Sequence, residues 1–242
     1  MSIYMKKMER EMRTWEREML KTSNLTDRLA KGLQNKMNNM IPDKAHQVIT
    51  EAIKKMVKVV LFGSEYTTHK PLIGATLEHR EKKVQDKLDR YKTVAMASGW
   101  GTGAGGLLLG LADFPILLTI KMKFLFEIAS LYGYDVKEYK ERVFILYIFQ
   151  LAFSSQPSRK AVYEKISHWE AYSKTLPERE DIFDWRSFQQ EYRDYIDFAK
   201  MLQLLPGIGA FVGAYANIKL MKQLGATAIQ AYRLRILSDL GL

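Results

Sequence analysis

Residues 94–120 read VAMASGWGTGAGGLLLGLADFPILLTI, with six glycines and a single charged side chain, Asp113, in a chain whose charged fraction is 26%. Residues 201–221, MLQLLPGIGAFVGAYANIKLM, repeat the mixture of small and bulky apolar residues. The pairs Gly99 and Gly103, Gly101 and Gly105, Gly106 and Gly110, and Gly209 and Gly213 are all spaced i, i+4. That spacing puts each pair on one helical face and lets two helix backbones approach closely. In water such a run is a poor helix, since each glycine costs about 1 kcal/mol relative to alanine. It becomes tenable where tight protein packing or lipid forbids unpaired backbone groups. Residues 94–112 also approach the ~20-residue length of a membrane span, although they are only moderately hydrophobic. Two readings follow, a hairpin buried in a protein core and a hairpin dipped into a bilayer.

Outward from this stretch the apolar residues recur at helical spacing. Charged helices are predicted over 4–20 and 27–40, and a helix over 43–62 carries Ile49, Ile53, Met56, Val57 and Val60 on one stripe. A loop over 63–71 precedes a long helix running from about 72 to 97, striped by Val84, Leu88 and Tyr91. Asp113 as N-cap and Pro115 in a first turn predict a new helix start, and Gly133 predicts its stop. Further helices are predicted over 136–153, 157–174, 185–206, 207–224 and 226–240. No run alternates with period two. The expected fold is all-α, a single multi-helix bundle with the two glycine-rich segments, 94–120 and 201–221, at its centre. Residues 1–40 read as a charged helical lead-in and 41–242 as the helical domain.

Composition narrows the function. The net charge is +10, and residues 1–92 hold 20 Lys and Arg against 12 Asp and Glu. A basic surplus suits nucleic acid or an anionic membrane surface. The basic residues alternate with acids along helices and the aromatics lie on apolar stripes, and no helix-turn-helix or RRM signature is present, so nucleic acid is not expected. The N-terminus offers no uninterrupted apolar core of a signal peptide, so the expected location is cytoplasmic. There are no cysteines, which removes thiolate chemistry and Cys-based metal sites.

The remaining motifs carry no reaction. GTGAGG at 101–106 satisfies G-x-G-x-x-G, but a helix leads into it, the Lys121 to Lys123 segment stands where an acidic residue would hold a ribose, and no P-loop lysine follows. His168 and Glu170 form H-x-E without the P-C-x-x-C of zinc deaminases. His46, His69, His79 and His168 are scattered, no two at i, i+4, and no G-x-S-x-G occurs. No catalytic residue, metal or cofactor is expected. Asp113 reads either as a helix N-cap or as a buried carboxylate paired with Arg142 or Asn217, so Asp113, Arg142 and Asn217 form the candidate polar site. Gly99, Gly103, Gly105, Gly106, Gly110, Gly209 and Gly213 are the candidate helix-packing glycines.

The run ending in GLADFP at 110–115, then IASLYG at 128–133 with Arg142 beyond, resembles the core of the EcsC family. PGIGA at 206–210, Asn217 and AIQAYRLR at 228–235 resemble its closing motif, and the likeness spans about residues 45–240. The resemblance implies a bacterial protein named for a gene beside an ABC transporter, with no established activity or catalytic residue to carry over. The expectation is a non-enzymatic accessory protein at the cytoplasmic face of the cell membrane, meeting anionic lipid or a membrane protein such as an ABC exporter. The alternative is a soluble helical domain that holds a lipid or other apolar ligand between its glycine-rich helices.

Overall fold

The computed structural model describes residues 3–21, 43–62, 70–100, 106–179, 182–196 and 210–239. Among these the chain is all-α, in nine helices: α1 Ile3–Leu20, α2 Asp43–Phe62, α3 Leu77–Trp100, α4 Gly106–Tyr132, α5 Tyr139–Phe153, α6 Gln156–Ser167, α7 Trp169–Thr175, α8 Trp185–Tyr195 and α9 Ala210–Asp239. The expected helix over 27–40 lies outside the described residues. No strand is formed among the described residues; one isolated antiparallel bridge joins Ser154 to Ile196.

Several expected boundaries move. The helix expected over 157–174 is split at His168 into α6 and α7, and the one expected over 185–206 ends at Tyr195, where Ile196 turns extended. Helix α3 starts at Leu77, because Pro71 and the positive φ of Gly74 keep the preceding segment extended and the Thr76 hydroxyl accepts from the His79 amide at 3.3 Å. The helix expected to begin at Asp113 begins at Gly106, so Asp113 is an interior residue and not an N-cap, and Pro115 lies inside the helix. Pro115 there forfeits one backbone bond, which the burial of Phe114, Leu117 and Leu118 on either side of it offsets. The two helices expected around Gly225 are one, α9, running straight through it. Gly133 does stop α4, in the left-handed region at φ +95°.

The core is built on α4, which from Phe114 to Tyr132 buries Phe114, Leu117, Leu118, Met122, Phe124, Leu125, Phe126, Ile128, Ala129 and Tyr132. Each such large side chain contributes about 1.5–3 kcal/mol by leaving water. Contacts between helices fix direction and register. Tyr91 of α3 meets Phe124 of α4 edge-on at 5.2 Å, and Arg80 donates to the Tyr132 carbonyl, so α3 and α4 are antiparallel. Leu88 of α3 packs where a Cβ on Gly225 would stand, and Glu81 pairs with Arg233, so α3 and α9 are antiparallel too. Helices α4 and α9 therefore run parallel, and Tyr132 stacks on Tyr232 at 4.9 Å. Helix α5 returns antiparallel to α9, with Phe144 against Tyr232 and Ala152 accepting from Gln223.

Helix α1 is part of the packed body. Trp15 meets the Tyr163 ring at 5.4 Å, the Tyr163 hydroxyl donates to Glu16 at 3.2 Å, and Arg233 donates to Glu11 at 2.8 Å.

Candidate functional site

The register makes the two ends of the bundle chemically different. At one end, where α4 and α9 finish, the polar side chains are locked together. Arg233 grips Glu81 with two bonds of 2.6 and 2.7 Å and reaches Glu11 with a third. Tyr232 donates to Glu141 at 2.7 Å, and Arg235 pairs with the same carboxylate while its guanidinium lies 3.8 Å from the Tyr134 ring centre. Burial first, and then the Glu141 charge, holds the Tyr232 hydroxyl protonated well above its ordinary range. Arg142, 6% exposed, donates to the backbone carbonyls of Leu61 at 3.0 Å, Val136 and Lys137, tying α2 to the turn before α5. A small pocket of about 110 Å³ beside this end is lined by Trp169, Glu170, Ser173, Arg235 and Asp239 among others. Its cation is already engaged by Glu141. This end is a structural clamp.

The other end is where α3 finishes and α4 and α9 begin, so the described parts of both glycine-rich segments converge there. Four large apolar side chains face solvent on it: Val94 at 46%, Met96 at 40%, Ile116 at 58% and Tyr215 at 70% exposure. Counting ~1.5 Å per residue from the Tyr91–Phe124 and Leu88–Gly225 contacts places all four within about two helical turns of one another along the bundle axis. Level with Val94 or just below it, by the same count, come Lys92, Lys123, Lys219 and Lys222. The last three are exposed and Lys92 is partly so. Lys92 pairs with Asp89 across one turn of α3. The hydrogen bond from Lys92 is the largest cause that lowers the Asp89 carboxyl, and the charge of Lys222 on α9 adds to it, which fits the register. Beyond the apolar residues the sequence runs 97–112 without a charge and 201–214 without a charge. The arrangement is an apolar tip above a collar of lysines.

Two polar side chains are buried at the base of this tip. Lys121 of α4 is 1% exposed and, among the described residues, has neither a hydrogen bond nor an ion pair. Burial alone pushes its ammonium down to about 7. Asn217 of α9 is fully buried, and neither its carbonyl nor its amide nitrogen has a partner.

The candidate site residues therefore part company. Arg142 sits at the clamp end, level with Tyr232 through the adjacent Glu141, whereas Asn217 lies about 22 Å away, 15 residues earlier on α9. The Asp113 backbone lies in α4 at the tip end, and its side chain is outside the described residues. Among the packing glycines, Gly99, Gly106, Gly110 and Gly213 lie in helices, while Gly103, Gly105 and Gly209 lie outside the described residues. The glycine that demonstrably admits a neighbour is Gly225, where an added Cβ would stand 2.6 and 2.7 Å from the two Leu88 methyls. Neither Lys121 nor the collar stood out in the sequence. The one available signal was a lysine on the stripe formed by Phe114, Leu118, Leu125, Ile128 and Tyr132. Among the described residues, no helix is long and apolar enough to cross a membrane, and no group of three or more His, Asp or Glu could hold a metal ion.

The EcsC protein family matches residues 6–237 of the chain. Protein EcsC of Bacillus subtilis (strain 168) is 47% identical over 226 residues, covering 93% of each chain. The uncharacterized protein YdbA of the same organism is 25% identical over 246 residues, covering 93% of this chain and 90% of its own. No solved structure matches. The chain belongs to the EcsC family.

Proposed function

We propose that this protein is a non-enzymatic accessory protein that sits on the anionic cytoplasmic face of the cell membrane, tip first. The observation that carries the reading is the apolar tip of Val94, Met96, Ile116 and Tyr215 above the collar of Lys92, Lys123, Lys219 and Lys222. Apolar side chains at the acyl boundary with lysines at headgroup depth are the two parts of interfacial binding, and long lysine stems let the amines reach the headgroups while the tip is immersed. A monotopic seat of this kind needs no spanning helix. An ABC exporter is the membrane partner that the family resemblance implies, and the exposed flanks of α1 and α8 remain available to it.

The test is flotation of the purified chain with vesicles of phosphatidylglycerol and phosphatidylcholine, compared with phosphatidylcholine alone. The wild type is expected to float with the anionic vesicles and to be released by salt. Replacing the four collar lysines with Gln removes about 1 kcal/mol each near such a surface, so binding should fall roughly 10²- to 10³-fold, toward the lower figure because Lys92 also serves Asp89. A wild-type protein that stays in the supernatant, or a collar variant that floats like the wild type, overturns the proposal.

A further inference from the structure

Lys121 and Asn217, buried on helices that run side by side, have no hydrogen-bond partner among the described residues, and this needs a chemical reason, because leaving a buried donor or acceptor unmade costs more than a hydrogen bond returns. Lys121 lies 11 residues before Tyr132 on α4, and Asn217 lies 15 residues before Tyr232 on α9. Since α4 and α9 are parallel and Tyr132 stacks on Tyr232, the two Cα positions differ in height by only about 6 Å, roughly one turn. Eleven residues are close to three full turns, so Lys121 is on the same face of α4 as Tyr132, the face turned to α9. Asn217 shares the buried stripe of α9 with Met221, Leu224 and Ala228. Helical side chains lean toward the N-terminus, so the lysine stem rises toward the level of Asn217, and both groups lean toward the tip.

Their surroundings define what they would accept. The amine offers three donors and one positive charge, and the amide offers two more donors. The neighbours on the two stripes are Phe114, Leu117, Leu118, Leu220 and Met221, all at most 3% exposed, so the two polar groups stand in an apolar surrounding that suits a hydrocarbon tail. One cation without a counter-ion among the described residues calls for one negative charge; a dianion would leave a charge unpaired in an apolar medium. Among the head groups of single-chain amphiphiles, a carboxylate is a compact monoanion whose two oxygens can accept from both an ammonium and an amide.

We propose that Lys121 and Asn217 form the head-group seat of a binding site for a single-chain amphiphile with a carboxylate head, a fatty acid, entering from the tip of the bundle. The ammonium, pressed toward its neutral form by burial alone, regains its charge against the ligand. The site uses the same end of the bundle as the membrane seat but does not depend on it, and it is tested without vesicles.

Calorimetric titration of the whole chain with dodecanoate and with dodecanol, each as monomer in vesicle-free buffer, separates head-group recognition from tail burial. The wild type is expected to prefer dodecanoate about 10- to 100-fold, the effect of one charge-assisted pair. Lys121→Met keeps the stem length and removes the charge, so it should retain dodecanol and lose the preference. Asn217→Leu should weaken dodecanoate several-fold and leave dodecanol unchanged, with circular dichroism confirming that both variants are folded. Equal affinity of the wild type for acid and alcohol, no binding of either, or a preference that survives in Lys121→Met overturns the assignment. Tighter binding of a short-chain phosphatidate than of dodecanoate overturns the carboxylate specificity. Vesicle flotation is measured on the same variants. Loss of flotation with the preference intact, or the reverse, shows which of the two proposals has failed.

Discussion

Lys121→Met should make the protein more stable, and by an amount that depends on pH. The side chain is 1% exposed with no counter-ion among the described residues, and burial lowers its pKa from 10.5 to about 7. In the unfolded chain the amine keeps its ordinary value. Between pH 7 and 10.5 the unfolded state therefore holds a proton that the folded state gives up, so stability rises with pH across that window. Below pH 7 both states are protonated and the full penalty stands. Linking the two pKa values gives a penalty of about 4 kcal/mol at pH 7 and about 2 kcal/mol at pH 9. Methionine carries no charge and fills similar volume, so the variant is relieved of both. The assay is urea unfolding of the two proteins at pH 7 and pH 9, followed by circular dichroism. The expected result is a variant more stable by several kcal/mol at pH 7, with the gap shrinking by about 2 kcal/mol at pH 9. The tyrosines that burial shifts upward, Tyr132, Tyr192 and Tyr232, are common to both chains and cancel. A variant no more stable than the wild type at pH 7, or a gap that does not change with pH, refutes the account of Lys121 as an uncompensated buried amine.

Gly133→Ala forces a side chain into φ +95° and sets its Cβ 2.7 Å from Arg80 Nη1, which caps the Tyr132 carbonyl; a loss of about 1–3 kcal/mol in thermal unfolding is expected, and an unchanged melt would contradict the assigned helix stop. Gly225→Ala gains helix propensity of about 1 kcal/mol but drives a methyl into Leu88, so it should destabilise on balance, while Leu88→Ala alone should cost about 2–5 kcal/mol. In the double variant the new methyl occupies part of the space Leu88 vacates, so its cost should fall short of the sum by at least ~1 kcal/mol, and simple additivity would show that α3 and α9 are not tightly packed there.

Much of the fold was legible in the chain because helices announce themselves locally. The stripes of Ile49, Ile53, Met56, Val57 and Val60, and of Val84, Leu88 and Tyr91, repeat at the helical period, and the structure buries most of both. Gly133 ended its helix because a left-handed φ is a property of one residue. The same local rules failed at Asp113 and Gly225. Asp113 and Pro115 favour a helix start, and Gly225 a break, in a chain considered alone. Both give way when burial of Phe114, Leu117 and Leu118 holds α4 together across the proline, and when Leu88 fills the space that Gly225 leaves.

The sequence by itself determined the all-helical class, the concentration of glycine and absence of charge in two segments, the lack of cysteine and the basic surplus. Each of these is a property of composition or of neighbours within a few residues. Only the tertiary structure decided which polar groups meet. It engaged Arg142 with backbone carbonyls at the clamp end and left Asn217 about 22 Å away at the base of the tip. It brought lysines from three helices, Lys92, Lys123, Lys219 and Lys222, to one level of the bundle, and it buried Lys121 and Asn217 within about one turn of the same height on parallel helices. Those juxtapositions depend on the antiparallel register of α3 with α4 and α9, which is fixed by contacts such as Tyr91 with Phe124 and Leu88 with Gly225 between residues far apart in the chain. Periodicity tells which face of a helix is buried; it carries no information on which other helix covers that face, or at what height.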